Sequence, residues 1–215
     1  MKTFVKLCGL REEAAIQRVP EGGAAGFVVG VPASPRNLTV EEIAERVPLV
    51  PSNAEAWAVT VAPTAELVRR LFDEAGVDRI QVYGAIPDGL DFLERHHLVP
   101  SLPLGRAGEP GSAPAVPPAE EFPRLHLDTG RGALPGGSGE TGNWAVAAQL
   151  VNDHPGRKFV LAGGLTPENV TAALDEVHPW GVDVSSGIER APGVKDLARI
   201  DQFLAAVAEY ERRHA

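Results

Sequence analysis

Two short apolar segments near the C-terminal end of the chain, 159–162 and 181–184, each run directly into a turn of small residues. The turns contain Gly163, Gly164, Ser186 and Gly187. Glycines allow backbone N–H groups to approach an anion closely, and a helix that follows such a turn points its positive N-terminal end toward the anion. Two such turns in succession predict an α/β fold, a (β/α)8 barrel, in which strands 7 and 8 hold a phosphate group.

The rest of the chain alternates as such a barrel requires. Apolar strand patterns occur at 3–10, 26–30, 57–61, 79–84, 98–104 and 124–129, before the two segments above. Helical patterns occur at 11–19, 39–46, 63–75, 88–97, 144–152, 166–177 and about 196–212. Because the alternation runs through the whole chain, we expect residues 1–215 to form a single (β/α)8 TIM-barrel domain.

The fifth helix is expected to be reduced or replaced by a loop. Segment 105–123 is dense in proline and glycine, and both residues break helices. A linker between two domains is the alternative, but neither part alone has enough strands for an α/β domain. The preceding strand is also unfavourable, since Pro100 and Pro103 interrupt its pattern.

The charge of the chain argues against several classes of partner. With a formal net charge of −9, we expect neither nucleic acid nor an anionic membrane as a partner. An anionic substrate would then be held by backbone dipoles and a few well-placed cations. The sequence has no apolar run of membrane-spanning length and no export signal. Its one cysteine cannot form an internal disulfide. We therefore expect the protein in the cytoplasm.

Cys8 is the first candidate for acid–base chemistry. Side chains alternate along a strand, so Cys8 and Lys6 share the face that points into the barrel. A position at the rim beside a charged lysine favours a reactive thiolate. The alternative is a buried small hydrophobic residue, which is what most single cysteines are.

Asp128 is the second candidate, because it ends strand 6 on the same face as His126. Its carboxylate would lie across the barrel mouth from Cys8, unless it only caps the following turn. Arg36 lies on a loop stiffened by prolines, where its guanidinium group could bind a carboxylate or remain a solvated surface charge. The glycine-rich loop 134–143 could cover a ligand or simply be flexible.

Six short motifs lie in order along almost the whole chain. They are K-L-C-G-L from Lys6, S-P-R from Ser34, L-D-T from Leu127, G-G-S-G from Gly136, L-A-G-G-L-T-P-E-N-V from Leu161, and V-D-V-S-S-G-I-E from Val182 followed by P-G-V-K-D. Together they resemble the motifs of the phosphoribosylanthranilate isomerase family of tryptophan biosynthesis.

The resemblance implies an Amadori rearrangement of N-(5-phosphoribosyl)anthranilate to 1-(2-carboxyphenylamino)-1-deoxyribulose 5-phosphate. Asp128 would be the acid that protonates the furanose ring oxygen, and Cys8 the base that removes the C2′ proton. These roles call for a raised pKa at Asp128 and a lowered pKa at Cys8. Arg36 would pair with the anthranilate carboxylate.

The resemblance also implies that the ribose phosphate is bound by the backbone N–H groups of the two C-terminal turns, around Gly163, Gly164, Ser186 and Gly187. Neither a metal nor another cofactor is implied, and the partner is a small phosphorylated molecule. The protein is expected to be a monomer or a homodimer. Further side chains that could contact the substrate or tune the site are Lys6, Tyr83, His126, Gly137 and Asp183.

Three places depart from the family pattern. Tyr83 stands where the family has histidine, only Trp144 remains of an F-D-W motif, and His126 replaces an aliphatic residue. For His126 the favoured interpretation is a satisfied core histidine, and the alternative is a hydrogen bond to Asp128 that sets its protonation. Two other functions remain open: the same barrel acting on a related sugar phosphate or aryl amine, and a phosphate-binding paralogue without catalysis.

Overall fold

The computed structural model describes residues 2–105, 113–128 and 143–215. The strands are β1 (Phe4–Cys8), β2 (Ala24–Val29), β3 (Asn37–Leu38), β4 (Glu55–Val61), β5 (Arg79–Tyr83), β6 (Leu98–Pro103), β7 (Arg124–Asp128), β8 (Lys158–Leu161), β9 (Gly181–Val184), β10 (Glu189–Ala191) and β11 (Val194–Lys195). The helices are α1 (Glu13–Ile16), α2 (Val40–Arg46), α3 (Ala65–Asp73), α4 (Phe92–His96), α5 (Trp144–Asp153), α6 (Val170–Val177) and α7 (Leu197–Arg213).

Eight parallel strands close into a barrel. Their order around the sheet is β1, β9, β8, β7, β6, β5, β4 and β2, and β2 pairs back with β1. The short strand β3 adds to β2, and β10 pairs with β11 in a separate antiparallel hairpin. The predicted (β/α)8 barrel is confirmed, and its eighth strand, β9, has the predicted bounds.

The barrel strands read as nearly continuous apolar runs because both of their faces are covered. One face packs against the helices in a large core that includes Leu7, Phe27 and Ile80. The other face fills the barrel interior, where Trp57 and Val160 close the N-terminal end. Parallel strands buried on both sides are expected to be apolar throughout.

Local signals set several element ends. Thr39 and Glu42 form the capping box that the sequence predicted at the start of α2. Helix α1 is shorter than the predicted 11–19, and it covers only Glu13–Ile16. Its N-cap residue, Glu12, makes no side-chain hydrogen bond to the helix. No side-chain cap from Glu12 therefore supports the N-terminal end of this helix.

Strand β6 forms in spite of its two prolines. Its first half pairs with β5 and its second half with β7, so each proline removes a donor from only part of one ladder. Between β6 and β7, the described residues 104–105 and 113–123 contain no helix. This agrees with the expected loss of the fifth helix over the part of that segment that can be described.

Two apolar side chains remain on the surface of α4. Phe92 is 60% exposed and Leu93 is 68% exposed, whereas Phe203 on α7 is fully buried. Among the helices of the described ranges, none is long and apolar enough to cross a membrane.

Candidate active site

The C-terminal ends of two barrel strands carry the side chains that the sequence predicted for catalysis. Cys8 is the last residue of β1 and Asp128 is the last residue of β7. They are 6% and 4% exposed, respectively. Because β9 and β8 lie between β1 and β7 in the sheet, the two groups come from different sides of the barrel mouth. Active sites of (β/α)8 barrels are built at this end.

Gly26 provides the space that Cys8 and Lys6 occupy. A Cβ atom at Gly26 would lie 3.0 Å from Cys8 Sγ and 3.0 Å from Lys6 Cε. Burial raises the pKa of the Cys8 thiol, and the positive charge of Lys6 offsets only part of this effect. The expectation of a lowered Cys8 pKa is therefore wrong for the substrate-free protein. The physical reason is that a thiolate loses more hydration in this position than one nearby cation returns.

Lys6 and Asp183 form a buried ion pair one layer below Cys8. The distance from Lys6 Nζ to Asp183 Oδ2 is 2.8 Å, and Lys6 has no exposed surface. Burial by itself would lower the pKa of Lys6, but the charges of Asp183 and Cys8 raise it above its ordinary value. Lys6 thus stays protonated beneath the thiol, while Asp183 keeps a lowered pKa because Lys6 and His126 outweigh its own burial.

His126 belongs to the same layer and is fully buried. Its Nε2 lies 2.8 Å from Asp183 Oδ2, and its Nδ1 lies 3.2 Å from Gln81 Nε2 and 3.3 Å from Ser101 Oγ. Since the carboxylate of Asp183 can only accept, Nε2 carries a proton and donates it to this hydrogen bond. Both nitrogens are engaged, so the alternative of a His126–Asp128 hydrogen bond is wrong and the satisfied core histidine is confirmed.

Tyr83 contacts the proposed acid directly. Its Oη donates a hydrogen bond to Asp128 Oδ2 at 2.6 Å. Burial, followed by the charge of Asp128, raises the pKa of Tyr83 well above its ordinary value, so the hydroxyl remains a neutral donor. This tyrosine is the residue that replaces the family's histidine, and it fixes one oxygen of the carboxylate.

Arg36 is already held by a carboxylate of the protein. Its Nε and Nη2 donate to the two oxygens of Glu189 at 2.7 and 2.6 Å. Lys195 Nζ donates to Glu189 Oε1 at 2.8 Å and to the Ser185 carbonyl at 2.9 Å. Arg36 is 9% exposed, so the alternative of a solvated surface charge is wrong. Its Nη1 donates no hydrogen bond to any residue that the structure describes.

The two C-terminal turns pack against each other. Gly163 and Gly164 adopt φ values of +90° and +66°, which favour glycine. A Cβ atom at Gly187 would lie only 1.9 Å from the Leu165 carbonyl oxygen, so only glycine fits there. Within the described ranges, no backbone hydrogen bond is donated by the N–H of Gly163, Gly164, Ser186 or Gly187. These N–H groups are therefore not used in backbone hydrogen bonds between the two turns.

The helices begin later than the sequence suggested. Asn169 ties the first turn together, because it accepts from Thr166 N at 2.8 Å and donates to the Gly164 carbonyl at 2.9 Å, and α6 starts only at Val170. The second turn leads into a single 3-10 turn, Ser186–Ile188. The expectation of a helix directly after each turn is therefore wrong.

The sequence analysis did not identify several residues that contact the predicted site residues. Glu189 and Lys195 lie inside the last of the quoted motifs, but only the fold shows that Glu189 holds Arg36 and that Lys195 binds Glu189. Ser101, on β6, gave no signal. The predicted contact Gly137 lies outside the described residues. Within those ranges, no group of three or more His, Cys, Asp and Glu side chains could hold a metal ion.

The fold and these side chains define the class of protein: a (β/α)8-barrel enzyme with its polar groups at the C-terminal ends of the strands. The family model for N-(5′-phosphoribosyl)anthranilate isomerase matches residues 5–206. The chain belongs to this isomerase family.

Individual relatives agree with this assignment over nearly the full chain. The N-(5′-phosphoribosyl)anthranilate isomerase of Syntrophus aciditrophicus is 35% identical over 97% of this chain and 89% of the relative. The dimeric isomerase of Thermotoga maritima is 28% identical, with a TM-score of 0.77 over 96% of this chain and 99% of that one. Another solved isomerase, 27% identical with a TM-score of 0.74 over 96% and 99%, binds reduced 1-(o-carboxyphenylamino)-1-deoxyribulose 5-phosphate.

Proposed function

We propose that this chain isomerises N-(5′-phosphoribosyl)anthranilate, with Asp128 as the general acid and Cys8 as the general base. Membership of the isomerase family supports the reaction. The observation that supports the roles is the position of these two nearly buried side chains at the C-terminal ends of β1 and β7, on different sides of the barrel mouth. A buried acid and base can serve the two halves of the reaction without exchanging protons with bulk water.

The reaction rearranges bonds within the substrate, and the only exchanges with the protein are of protons. Asp128 gives a proton to the furanose ring oxygen as the C1′–O bond breaks, and the anthranilate nitrogen lone pair forms the Schiff base. Cys8 then removes the C2′ proton, the C–H electrons form the C1′–C2′ double bond of an enolamine, and the C1′–N π electrons return to nitrogen. Tautomerisation of the enolamine gives the ketone. No external oxidant or reductant takes part.

The substrate's two anionic ends would be held separately. We assign the ribose phosphate to the N–H groups of Gly163, Gly164, Ser186 and Gly187, which make no backbone hydrogen bonds to described residues. The anthranilate carboxylate would be bound by Arg36, through the Nη1 group that Glu189 leaves uncovered.

The polar layer beneath the site tunes the base in this proposal. Protonated Lys6 favours the thiolate of Cys8, while Asp183 and His126 hold Lys6 in its place. These residues act on the electrostatics of the site from below the barrel mouth. Lys6, Asp183 and His126 are thus positioning and tuning residues.

Replacing Tyr83 by phenylalanine should lower kcat about tenfold or more, because a hydrogen bond to a charged group contributes about 1.5–3 kcal/mol. The hydroxyl stabilises the ionised carboxylate of Asp128 after proton transfer. Without it the charge that proton transfer leaves on Asp128 is less stabilised, so the loss should appear in kcat more than in KM. Asp183 and Cys8 are the other titrating groups that act on Tyr83, and they are unchanged in the variant.

The chain offers a matched control for this experiment. Tyr210→Phe makes the same change in the only other tyrosine of the sequence, on α7, and should leave kcat unchanged. Tyr83→His introduces the residue typical of the family and should recover part of the loss. An unaltered kcat in a folded Tyr83→Phe enzyme would show that the tyrosine does not act on the acid.

Glu189→Gln should raise KM about tenfold with a smaller change in kcat, because glutamine cannot hold both Arg36 and Lys195. Arg36 would lose its fixed orientation toward the substrate carboxylate. Glu168→Gln is the control, since Glu168 pairs with Arg199 at an exposed position. Steady-state kinetics on folded variants would contradict this role if the two mutants had equal KM values.

The function itself is tested by generating phosphoribosylanthranilate in the cuvette and following the loss of its fluorescence with the wild-type protein. A kcat/KM above about 10⁴ M⁻¹s⁻¹ is expected of a dedicated enzyme. Absence of turnover by folded protein would instead favour the related sugar phosphates or aryl amines as substrates. A monomeric or homodimeric state and a cytoplasmic location remain predictions.

A further inference from the structure

A second cavity lies at the opposite end of the barrel from the candidate active site. It has a volume of about 770 Å³ and opens at the N-terminal ends of β5, β7 and β8. Its lining includes Arg79, Arg124, Arg157, Lys158, His96 and His154. Among the described residues, no acidic side chain contributes to the lining, although the chain as a whole has a net charge of −9. We call it the N-terminal cavity.

Only part of this positive charge is neutralised. Glu55 pairs with Arg124 at 2.6 Å and lies 3.7 Å from Arg79 Nε, so one carboxylate serves two guanidinium groups. Neither Arg157 nor Lys158 forms an ion pair with a residue in the described ranges. Lys158 lies over the Trp180 ring at 5.1 Å and is otherwise exposed. Asp78 acts on Arg79 and Glu120 acts on Arg157 through their charges, so carboxylates lie near the cavity while cations line it.

Two buried guanidinium nitrogens in the lining make no hydrogen bond to a described residue, although Arg79 Nε lies within ion-pair distance of Glu55 at 3.7 Å. Arg79 Nε and Arg157 Nε are both buried and make no hydrogen bond within the described residues. The Arg157 head group is nevertheless fixed, since its Nη2 donates to the Pro117 carbonyl at 2.8 Å. A buried donor without an acceptor costs roughly 1–3 kcal/mol, so native structures normally supply a partner.

The pKa values of the same side chains agree with this imbalance. Burial lowers the pKa of Arg79, and the neighbouring charge of Arg124 lowers it further. Burial also lowers the pKa of Arg157. The charge of Arg79 is thus disfavoured by burial and by Arg124, and the charge of Arg157 is disfavoured by burial. An arrangement that disfavours its own charges is typical of a binding site rather than of a stabilising network.

We propose that the N-terminal cavity binds a small polyanion that carries two or more oxyanion charges, such as a phosphorylated metabolite. Guanidinium groups match the paired oxygens of phosphate and carboxylate, and the volume suits a small-molecule ligand. The site is separate from the turns after β8 and β9, because it lies at the other end of the strands. It does not depend on the proposed isomerase activity.

Calorimetric titration with inorganic pyrophosphate, at fixed ionic strength, tests this inference. The wild-type protein should show a site that the double variant Arg157→Gln, Lys158→Gln weakens about tenfold or more, as expected for the loss of charge-assisted contacts. The double variant Lys2→Gln, Arg213→Gln removes the same net charge elsewhere and should bind as the wild type does. Any pyrophosphate bound by the turns after β8 and β9 should remain in both variants.

A parallel titration with malonate distinguishes the two sources of oxyanion charge. Binding of pyrophosphate alone identifies a phosphate site, and binding of both identifies a general dianion site. The single variant Lys158→Gln is a second test that should not disturb folding, because the Lys158 side chain is exposed. It should leave Tm unchanged without anion and reduce the rise in Tm that pyrophosphate causes in the wild type.

Equal stoichiometry and affinity for pyrophosphate in the wild type and in the Arg157→Gln, Lys158→Gln variant would overturn the proposal. So would an equal pyrophosphate-dependent rise in Tm in Lys158→Gln and the wild type. Either result would assign these cations to the solvated surface of the barrel's N-terminal face.

Discussion

Asp128→Asn should lower kcat/KM for phosphoribosylanthranilate about 10²- to 10⁴-fold, the usual contribution of a general acid. Asparagine has nearly the shape of aspartic acid but has no acidic proton to give to the ring oxygen. Tyr83 Oη can still donate to the amide oxygen, so the local packing at the end of β7 should survive. The coupled fluorescence assay measures the loss.

The control for this variant is a carboxylate with a different environment. Asp175→Asn changes a half-exposed side chain that lies 3.5 Å from Arg213, and activity should stay within about twofold of the wild type because surface ion pairs contribute little. If Asp128→Asn kept activity comparable with that of Asp175→Asn, another group would have to open the furanose ring.

Cys8→Ala should cause a loss of similar size, about 10²- to 10⁴-fold, because alanine cannot accept the C2′ proton. The pH–rate profile of the wild-type enzyme should also reflect the direction in which the environment shifts the pKa of Cys8. Burial outweighs Lys6 and raises the pKa of the thiol, so the fraction of thiolate increases only at higher pH than for an ordinary cysteine. Activity that depends on the thiolate should therefore rise with pH through an apparent pKa above that of a free cysteine.

An independent measurement of the same ionisation is available because the chain has a single cysteine. The rate of alkylation by iodoacetamide reports the thiolate of Cys8 without any substrate. It should rise over the same pH range as kcat/KM, and product bound in the site should slow it. Alkylation and catalysis with clearly different apparent pKa values would remove Cys8 from the role of base.

The effect of Lys6 on the pKa of Cys8 differs from what its sequence position suggested. A lysine two residues before the cysteine was expected to produce a lowered thiol pKa. In the fold, its ammonium group is also paired with Asp183, whose negative charge acts on Cys8 in the opposite direction. The pKa of the thiol depends on burial and on Asp183, which lies 175 positions after Cys8 in the chain. No local sequence pattern could predict either contribution.

The sequence by itself determined the barrel and the places of its main chemical groups. Alternating apolar strands and helices predicted the order of the elements, and Cys8, Asp128 and the four turn residues lie at the strand ends where the pattern placed them. This succeeded because periodicity, strand alternation and the backbone freedom of glycine are local properties. A side chain at the last residue of a parallel strand must face the same end of the barrel as its counterparts.

Only the tertiary structure decided which of these groups touch. Glu189 holds Arg36 across 153 residues of sequence, and Tyr83 reaches Asp128 across 45. Likewise, the cations of the N-terminal cavity come from the starts of β5, β7 and β8, which meet only when the sheet closes. Hydrogen bonds and pKa values depend on distance and burial in space, and both are set when strands far apart in the chain become neighbours.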